Sequence, residues 1–80
     1  METKMTELEK SLLIFLASNN DGEYKEGFLQ VDFMRENQLA NKVDQDRVIN
    51  AINDCIEKGF VEHDEKLHRF FLTLLGRSQM

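Results

Sequence analysis

Three side chains that can recognise nucleic-acid bases recur at three-residue steps in the middle of the chain: Arg47, Asn50 and Asn53. Arginine can form two hydrogen bonds with the edge of guanine, and asparagine can form two with the edge of adenine. Three carboxylates share the same predicted helix face: Asp46, Asp54 and Glu57. Because carboxylates repel phosphates, this face has base-recognising groups without the excess positive charge typical of nucleic-acid binding.

A second group of charged side chains lies near the C-terminus, where Lys66 and Arg69 could contact phosphates. Nearby acids offset their charge: Glu62, Asp64 and Glu65. Histidine ordinarily titrates at about pH 6.5, so protonation of His63 and His68 would make this segment positive. An ordinary solvated hairpin is the simpler interpretation, and a pH-sensitive contact is the alternative.

Other site chemistry is poorly represented in the sequence. Zinc normally takes three or four protein ligands, and His63 and His68 have no evident third ligand, so we predict no metal site. Cys55 lies on an apolar helix stripe, which favours a core position over a reactive thiol. The chain has no glycine-rich phosphate loop and no nucleophile elbow. We therefore predict neither an enzyme, a cofactor nor a small-molecule substrate.

Size and charge further restrict the classes of fold and function that fit this chain. Eighty residues predict one domain, residues 1–80, close to the size at which oligomerisation helps to stabilise a small core. A net charge of −5 argues against indiscriminate polyanion binding. A single cysteine fits a reducing, cytoplasmic setting. The longest apolar run, residues 12–17, is shorter than the roughly 20 residues that cross a bilayer, so no membrane association is expected.

The first predicted element is a helix that starts at a capping box formed by Thr6 and Glu9. Its apolar residues recur at three- and four-residue steps on one stripe: Met5, Leu8, Leu12, Phe15 and Leu16. Residues 18–22 are rich in helix-terminating types, so the helix should end there.

The middle of the chain is ambiguous. Residues 27–33 contain β-branched and aromatic residues typical of a strand, but Asp32 could instead cap a helix that reaches Leu39. We predict a brief strand, then a short helix and a turn at residues 40–43. A third helix, residues 44–58, should begin at Asp44 and end at Gly59. Its apolar stripe comprises Val48, Ile49, Ile52, Cys55 and Ile56.

Residues 60–64 and 68–75 predict two strands joined by a tight turn at Glu65 and Lys66. This turn pairs His63 with His68. Side-chain alternation gives a core face with Val61, Phe70, Leu72 and Leu74. It gives an outer face with Phe60, Phe71 and Thr73.

In order, these elements are helix, strand, helix, helix and hairpin, and the chain resembles the winged helix-turn-helix superfamily. The resemblance rests on residues 44–61 and on residues 71–77, which are similar to a closing wing strand. It implies an α+β fold with three helices, a short strand and a C-terminal β-hairpin wing. It also implies a DNA-binding transcriptional regulator whose third helix enters the major groove. Arg47, Asn50 and Asn53 would then read bases, whereas Lys66 and Arg69 would hold phosphates. A homodimer would make each of these contacts twice.

A protein-interaction module is the alternative function. Ile14 points away from the first apolar stripe, and Phe60 and Phe71 share the predicted outer face of the hairpin. Together they predict an exposed patch that would bind a second copy or another protein. In this alternative the acidic third helix docks on a basic partner and binds no DNA.

Overall fold

The computed structural model describes residues 5–80, except for the side chain of Asn20. These residues form an α+β structure with four α-helices and a three-stranded antiparallel sheet. In chain order the elements are α1 (Glu7–Ala17), a 3₁₀ turn (Asn20–Gly22), β1 (Glu23–Lys25), α2 (Leu29–Glu36), α3 (Lys42–Glu57), β2 (Val61–Asp64), β3 (Arg69–Leu72) and α4 (Leu74–Ser78). Strand β3 lies between β1 and β2.

Helix α1 begins and ends where the sequence predicts. The Thr6 hydroxyl accepts a hydrogen bond from the Glu9 amide at 3.1 Å, and the Thr6 amide donates to the Glu9 carboxylate at 3.0 Å. The chain then leaves the helix through Asp21 and Gly22, which both have positive φ. A side chain at Gly22 would crowd Leu72, because a Cβ would lie 2.8 Å from the Leu72 Cβ.

The middle of the chain differs from the prediction. The strand lies at Glu23–Lys25, before the predicted residues 27–33, and most of the latter belong to helix α2. The reason is burial: Leu29 and Phe33 are buried, whereas Val31 between them is 48% exposed. A strand would place all three on one face, so this pattern fits the helical period. Asp32 lies inside α2 rather than capping a helix, and its carboxylate accepts a hydrogen bond from the Tyr24 hydroxyl.

Helix α3 starts earlier than predicted. Its N-cap is Asn41, whose side-chain oxygen accepts from the Asp44 amide at 2.8 Å, so the predicted cap Asp44 lies in the first turn. Asparagine is as good an N-cap as aspartate, and the earlier start adds hydrogen-bonded residues to the helix. The end is as predicted, because Gly59 follows the helix with a φ of 84°. The predicted stripe faces the core, where Val48, Ile52 and Cys55 are buried.

The hairpin has a different register from the predicted one. His63 pairs with Phe70, not with His68, and the loop spans residues 65–68. The Asp64 carboxylate accepts from the amides of Lys66 and Leu67, which supports this longer loop. The shift is two residues, so the side chains within β2 and β3 keep their predicted faces. Val61 and Leu72 are accordingly buried in the core.

The C-terminal segment is a helix rather than the end of a strand. Strand β3 ends at Leu72, and Thr73 caps α4 by accepting from the Gly76 amide at 2.9 Å. Leu74, a predicted core residue, is 86% exposed. Gly76 packs so closely on Phe60 that a Cβ would overlap the Phe60 carbonyl oxygen. The prediction of a wing strand that continues to residue 75 is therefore wrong.

A single apolar core lies between the first three helices and one face of the sheet. Phe15 joins these layers: its ring lies 5.5 Å from that of Phe33 on α2 and 5.4 Å from that of Tyr24 on β1. Helix α3 packs against α1, α2 and β2, with Val48, Ile52 and Cys55 in the same core. This packing determines which α3 residues face outward. Within residues 5–80, no helix has both the length and the apolar character needed to cross a membrane.

Candidate nucleic-acid interface

The three predicted base-contacting residues lie on the outward side of α3. Arg47, Asn50 and Asn53 are all exposed, because the opposite side of the helix is held in the core by Val48 and Cys55. Their three-residue spacing spreads them over about nine ångströms of helix at 1.5 Å per residue. The helix therefore presents a row of hydrogen-bonding groups along an open surface.

These three side chains do not converge on one pocket. Arg47 and Asn50 border an open depression of about 290 Å³ beside the start of α1. Asn53 borders a different depression of about 170 Å³, which Gln30 and Phe70 also line. An open row of this kind suits contact with the edges of an extended partner better than enclosure of a small ligand.

The charge of this face is mixed. Arg47 is 66% exposed, and its guanidinium lies 3.9 Å from the Asp44 carboxylate, which is a weak surface ion pair. Lys42 is exposed at the start of the same helix. Three carboxylates are exposed along α3: Asp46, Asp54 and Glu57. The guanidinium of Arg47 can exchange Asp44 for another acceptor at little cost, but the neighbouring acids weaken its attraction for an anion.

The two predicted phosphate contacts differ in their surroundings. Lys66 is exposed in the hairpin loop. Arg69 is only partly exposed, because its guanidinium is held 2.9 Å from the Glu23 carboxylate on the adjacent strand β1. A phosphate would have to compete with Glu23 for Arg69, so Lys66 is the more accessible cation of the two.

The two histidines meet through a residue that the sequence did not single out. Glu26 follows β1, and its Oε2 atom lies 3.1 Å from Nε2 of His63 and 3.3 Å from Nδ1 of His68. The close approach of the His63 ring is the largest factor acting on the pKa of Glu26 and lowers it, partial burial opposes this, and His68 lowers it further. Glu26 lies 37 and 42 residues from the two histidines, so no local sequence pattern links them.

The structure brings no metal-binding group together in the part of the chain that it describes: no three histidine, cysteine or acidic side chains there are arranged to hold a metal ion. Cys55 is fully buried, as the sequence predicts. Burial, with a smaller effect of the Glu9 charge, raises the pKa of its thiol to about 12. At neutral pH Cys55 is therefore a protonated core side chain with little nucleophilic character.

The predicted interaction patch is only partly present. Ile14 is 48% exposed and points away from the core, as expected. Phe60, however, is 1% exposed, and Phe71 is partly buried. Strand alternation does not apply to Phe60, because it precedes β2 and its carbonyl accepts from the Thr73 amide beneath α4. Several other large apolar side chains are exposed instead: Phe28, Val31, Val43, Leu67, Leu74, Leu75 and Met80.

Together these features define a small α+β protein with an exposed polar helix face and an adjacent hairpin. Comparison of the chain with models of protein families, with curated proteins and with solved structures found no match.

Proposed function

We propose that this protein is a small winged-helix DNA-binding protein that acts as a transcriptional regulator. The observation that carries the proposal is the exposed row of Arg47, Asn50 and Asn53 along α3. The order α1, β1, α2, α3, β2 and β3 supports it, because it matches the helix, strand, helix, helix and hairpin of the winged-helix resemblance. The second part of that resemblance, residues 71–77, gives no such support, because β3 ends at Leu72 and α4 follows. In the proposed complex α3 enters the major groove and the loop between β2 and β3 follows the backbone.

Each contact has a separate role in this complex. Arg47 forms paired hydrogen bonds with guanine, and Asn50 or Asn53 forms them with adenine. Lys66 neutralises a phosphate and contributes affinity without sequence preference. A homodimer would place two such helices in successive major grooves and so double the number of base and phosphate contacts.

DNA binding is tested by fluorescence anisotropy of a labelled mixed-sequence duplex at about 50 mM salt, where weak phosphate contacts are measurable. We expect saturable binding that is lost by about 200 mM salt. No binding at low salt would contradict the proposal.

Two substitutions distinguish base contacts from phosphate contacts. Once a preferred site has been selected, Arg47→Ala should weaken binding to it by about 1–3 kcal/mol and relax the preference at one position. Lys66→Ala should weaken binding to all duplexes similarly. It should also make the slope of log affinity against log salt concentration less steep, by about the amount expected for one neutralised phosphate. Lys10→Ala is the control, because Lys10 is an exposed cation on α1 outside the proposed contacts. Equal effects of Lys10→Ala and Lys66→Ala would exclude the hairpin loop as a phosphate contact.

The acidic side chains of α3 favour a second candidate function, an adaptor that docks this helix on a basic protein. Asp46, Asp54 and Glu57 would then provide the attraction, and the exposed Ile14 could extend the contact. Such a protein would bind no DNA at low salt and would associate with itself or with a basic partner.

Reversing one charge separates the two candidates. Glu57→Lys is the preferred change, because Asp54 also acts on Lys58 and its replacement would affect the core side of the helix. If DNA is the ligand, Glu57→Lys should strengthen binding. It should also steepen the slope of log affinity against log salt concentration by about the amount expected for one neutralised phosphate. If a basic protein is the ligand, the same change should weaken docking. Glu36→Lys, on the exposed end of α2, is the matched control and should have a smaller effect in both assays.

A further inference from the structure

The contact of Glu26 with two histidines joins three separate segments of the chain. Glu26 lies in the turn after β1, His63 lies in β2, and His68 lies in the loop before β3. Both imidazole rings approach the same carboxylate oxygen, at 3.1 Å and 3.3 Å. The three side chains therefore connect the turn between β1 and α2 to the hairpin.

The backbone makes a parallel connection at the same place. The Glu26 amide donates a hydrogen bond of 2.7 Å to the His68 carbonyl oxygen. This bond does not depend on pH, and opening of the turn away from the hairpin must break it. Hydrogen exchange at the Glu26 amide therefore reports how tightly the two segments are held together.

The charge of the side-chain contact depends on pH. A neutral imidazole has one N–H donor, whereas a protonated ring has two donors and a positive charge. Histidine is the side chain that ordinarily changes its charge between about pH 5 and pH 8. Glu26 stays ionised over this range because its pKa is lowered. A proton on each ring would change the net charge of the three side chains from −1 to +1.

The surroundings of the histidines contain few competing charges. His63 is 26% exposed and stacks on Phe70, with ring centres 4.8 Å apart. Where α2 and α3 approach Phe70, the polar side chains are the uncharged Gln30 and Asn53. Within residues 5–80, the ion pairs link neither histidine to an acid other than Glu26.

The charged residues of the neighbouring strands either contact other groups or lie on the face opposite to the two histidines. Glu62 lies on the face of β2 opposite to His63, and Asp64 binds the loop amides of Lys66 and Leu67. On β3, Arg69 pairs with Glu23. On β1, the Lys25 ammonium lies over the Phe28 ring at 5.3 Å. The exposed Glu65 and Lys66 of the loop have opposite charges.

We propose that Glu26, His63 and His68 form a proton-sensitive clasp that holds the hairpin against the turn after β1 more tightly in mild acid than in mild alkali. Protonation of each ring adds a charge attraction to the same Glu26 oxygen, which draws β2 and the loop towards the turn. The same proton uptake makes the hairpin loop more positive. The clasp does not depend on DNA binding.

The test is hydrogen exchange of the Glu26 amide, measured by NMR at about pH 5.5 and about pH 8 in a buffer with a chelator, and corrected for the intrinsic exchange rate. We expect protection of this amide to be roughly three- to tenfold greater at the lower pH, as two partly exposed ion pairs would produce. The Thr73 amide, which donates to Phe60 away from the histidines, is the internal reference and should change much less.

Substitutions identify the source of the effect. Glu26→Gln keeps the size of the side chain and the backbone bond but removes the charge, so the extra protection in acid should disappear. Glu62→Gln makes the same chemical change on the other face of the hairpin and should retain it. Equal protection of the wild-type Glu26 amide at both pH values, or a pH effect that persists in Glu26→Gln, would overturn the proposal.

Discussion

Replacement of Lys58 by methionine is expected to lower the free energy of unfolding by about 3 kcal/mol, because it leaves the Glu9 carboxylate buried without its cationic partner. The Lys58 ammonium lies 2.8 Å from Glu9 Oε2 and joins the end of α3 to the start of α1. Glu9 is 2% exposed. The expected loss is at the lower end of the range for buried pairs because Lys58 keeps partial access to solvent.

The loss should depend on pH in a defined direction. Burial raises the pKa of Glu9, but hydrogen bonds from Lys58 and Thr6 outweigh it, and the net change is a lowered pKa. A carboxylate of this kind stabilises the fold above the ordinary glutamate pKa of about 4.3 and loses that contribution as the pH falls through its folded value. The difference between wild type and Lys58→Met should therefore be largest near neutral pH and shrink in acid.

Urea unfolding at about pH 7 and about pH 3.5 measures both effects. Lys10→Met removes an exposed lysine of α1 and should change stability by less than about 0.5 kcal/mol. The double variant Glu9→Leu with Lys58→Met should recover most of the loss, because an apolar pair replaces the buried charge. A loss for Lys58→Met as small as that for Lys10→Met would show that the pair contributes little.

The second large effect is expected at Phe60, where replacement by alanine should lower the free energy of unfolding by about 3–5 kcal/mol. Phe60 is almost completely buried and lies between the end of α3 and α4. Its backbone donates to the Cys55 carbonyl and accepts from Thr73, so the surrounding chain has little freedom to close the resulting cavity. An incompletely closed cavity adds to the lost transfer free energy.

The matched control is Ile14→Ala, which removes an apolar side chain that is half exposed on α1. It should cost less than about 1 kcal/mol, since exposed side chains contribute little to folding. Thermal and urea unfolding of both variants provide the comparison. A loss below about 1 kcal/mol for Phe60→Ala would instead place this ring at the surface, as strand alternation had predicted.

The predictions that were confirmed rest on signals contained within a few consecutive residues. Thr6 and Glu9 cap each other one turn apart, and Gly59 accepts the positive φ that ends α3. The stripe with Val48, Ile52 and Cys55 depends only on helical periodicity and on the hydrophobic effect.

The predictions that were wrong concern segments whose residues favour strand and helix to a similar extent. Residues 27–33 satisfy strand and helix preferences almost equally. Burial of Leu29 and Phe33 with exposure of Val31 between them favours the helix, because a strand would bury all three together. The pattern of the C-terminal leucines predicts a strand. In the structure, Thr73 caps a helix there and Gly76 packs against Phe60. In both places, contacts with distant parts of the chain outweigh a small local difference in free energy.

The candidate site likewise has some features that follow from the local sequence and others that depend on tertiary contacts. The exposure of Arg47, Asn50 and Asn53 follows from the period of α3, so sequence reasoning was sufficient. The ion pair of Arg69 with Glu23 depends on the pairing of β1 with β3, which the sequence does not specify.

By itself, the sequence determined the caps, the helical period of α1 and α3 and the faces of the hairpin strands, because each depends on interactions between near neighbours. Only the tertiary structure decided the place of β1, the burial of Phe60 and the meeting of Glu26 with His63 and His68. Contacts of that kind join residues that are distant in the chain, and their free energy exists only after the intervening segments have packed.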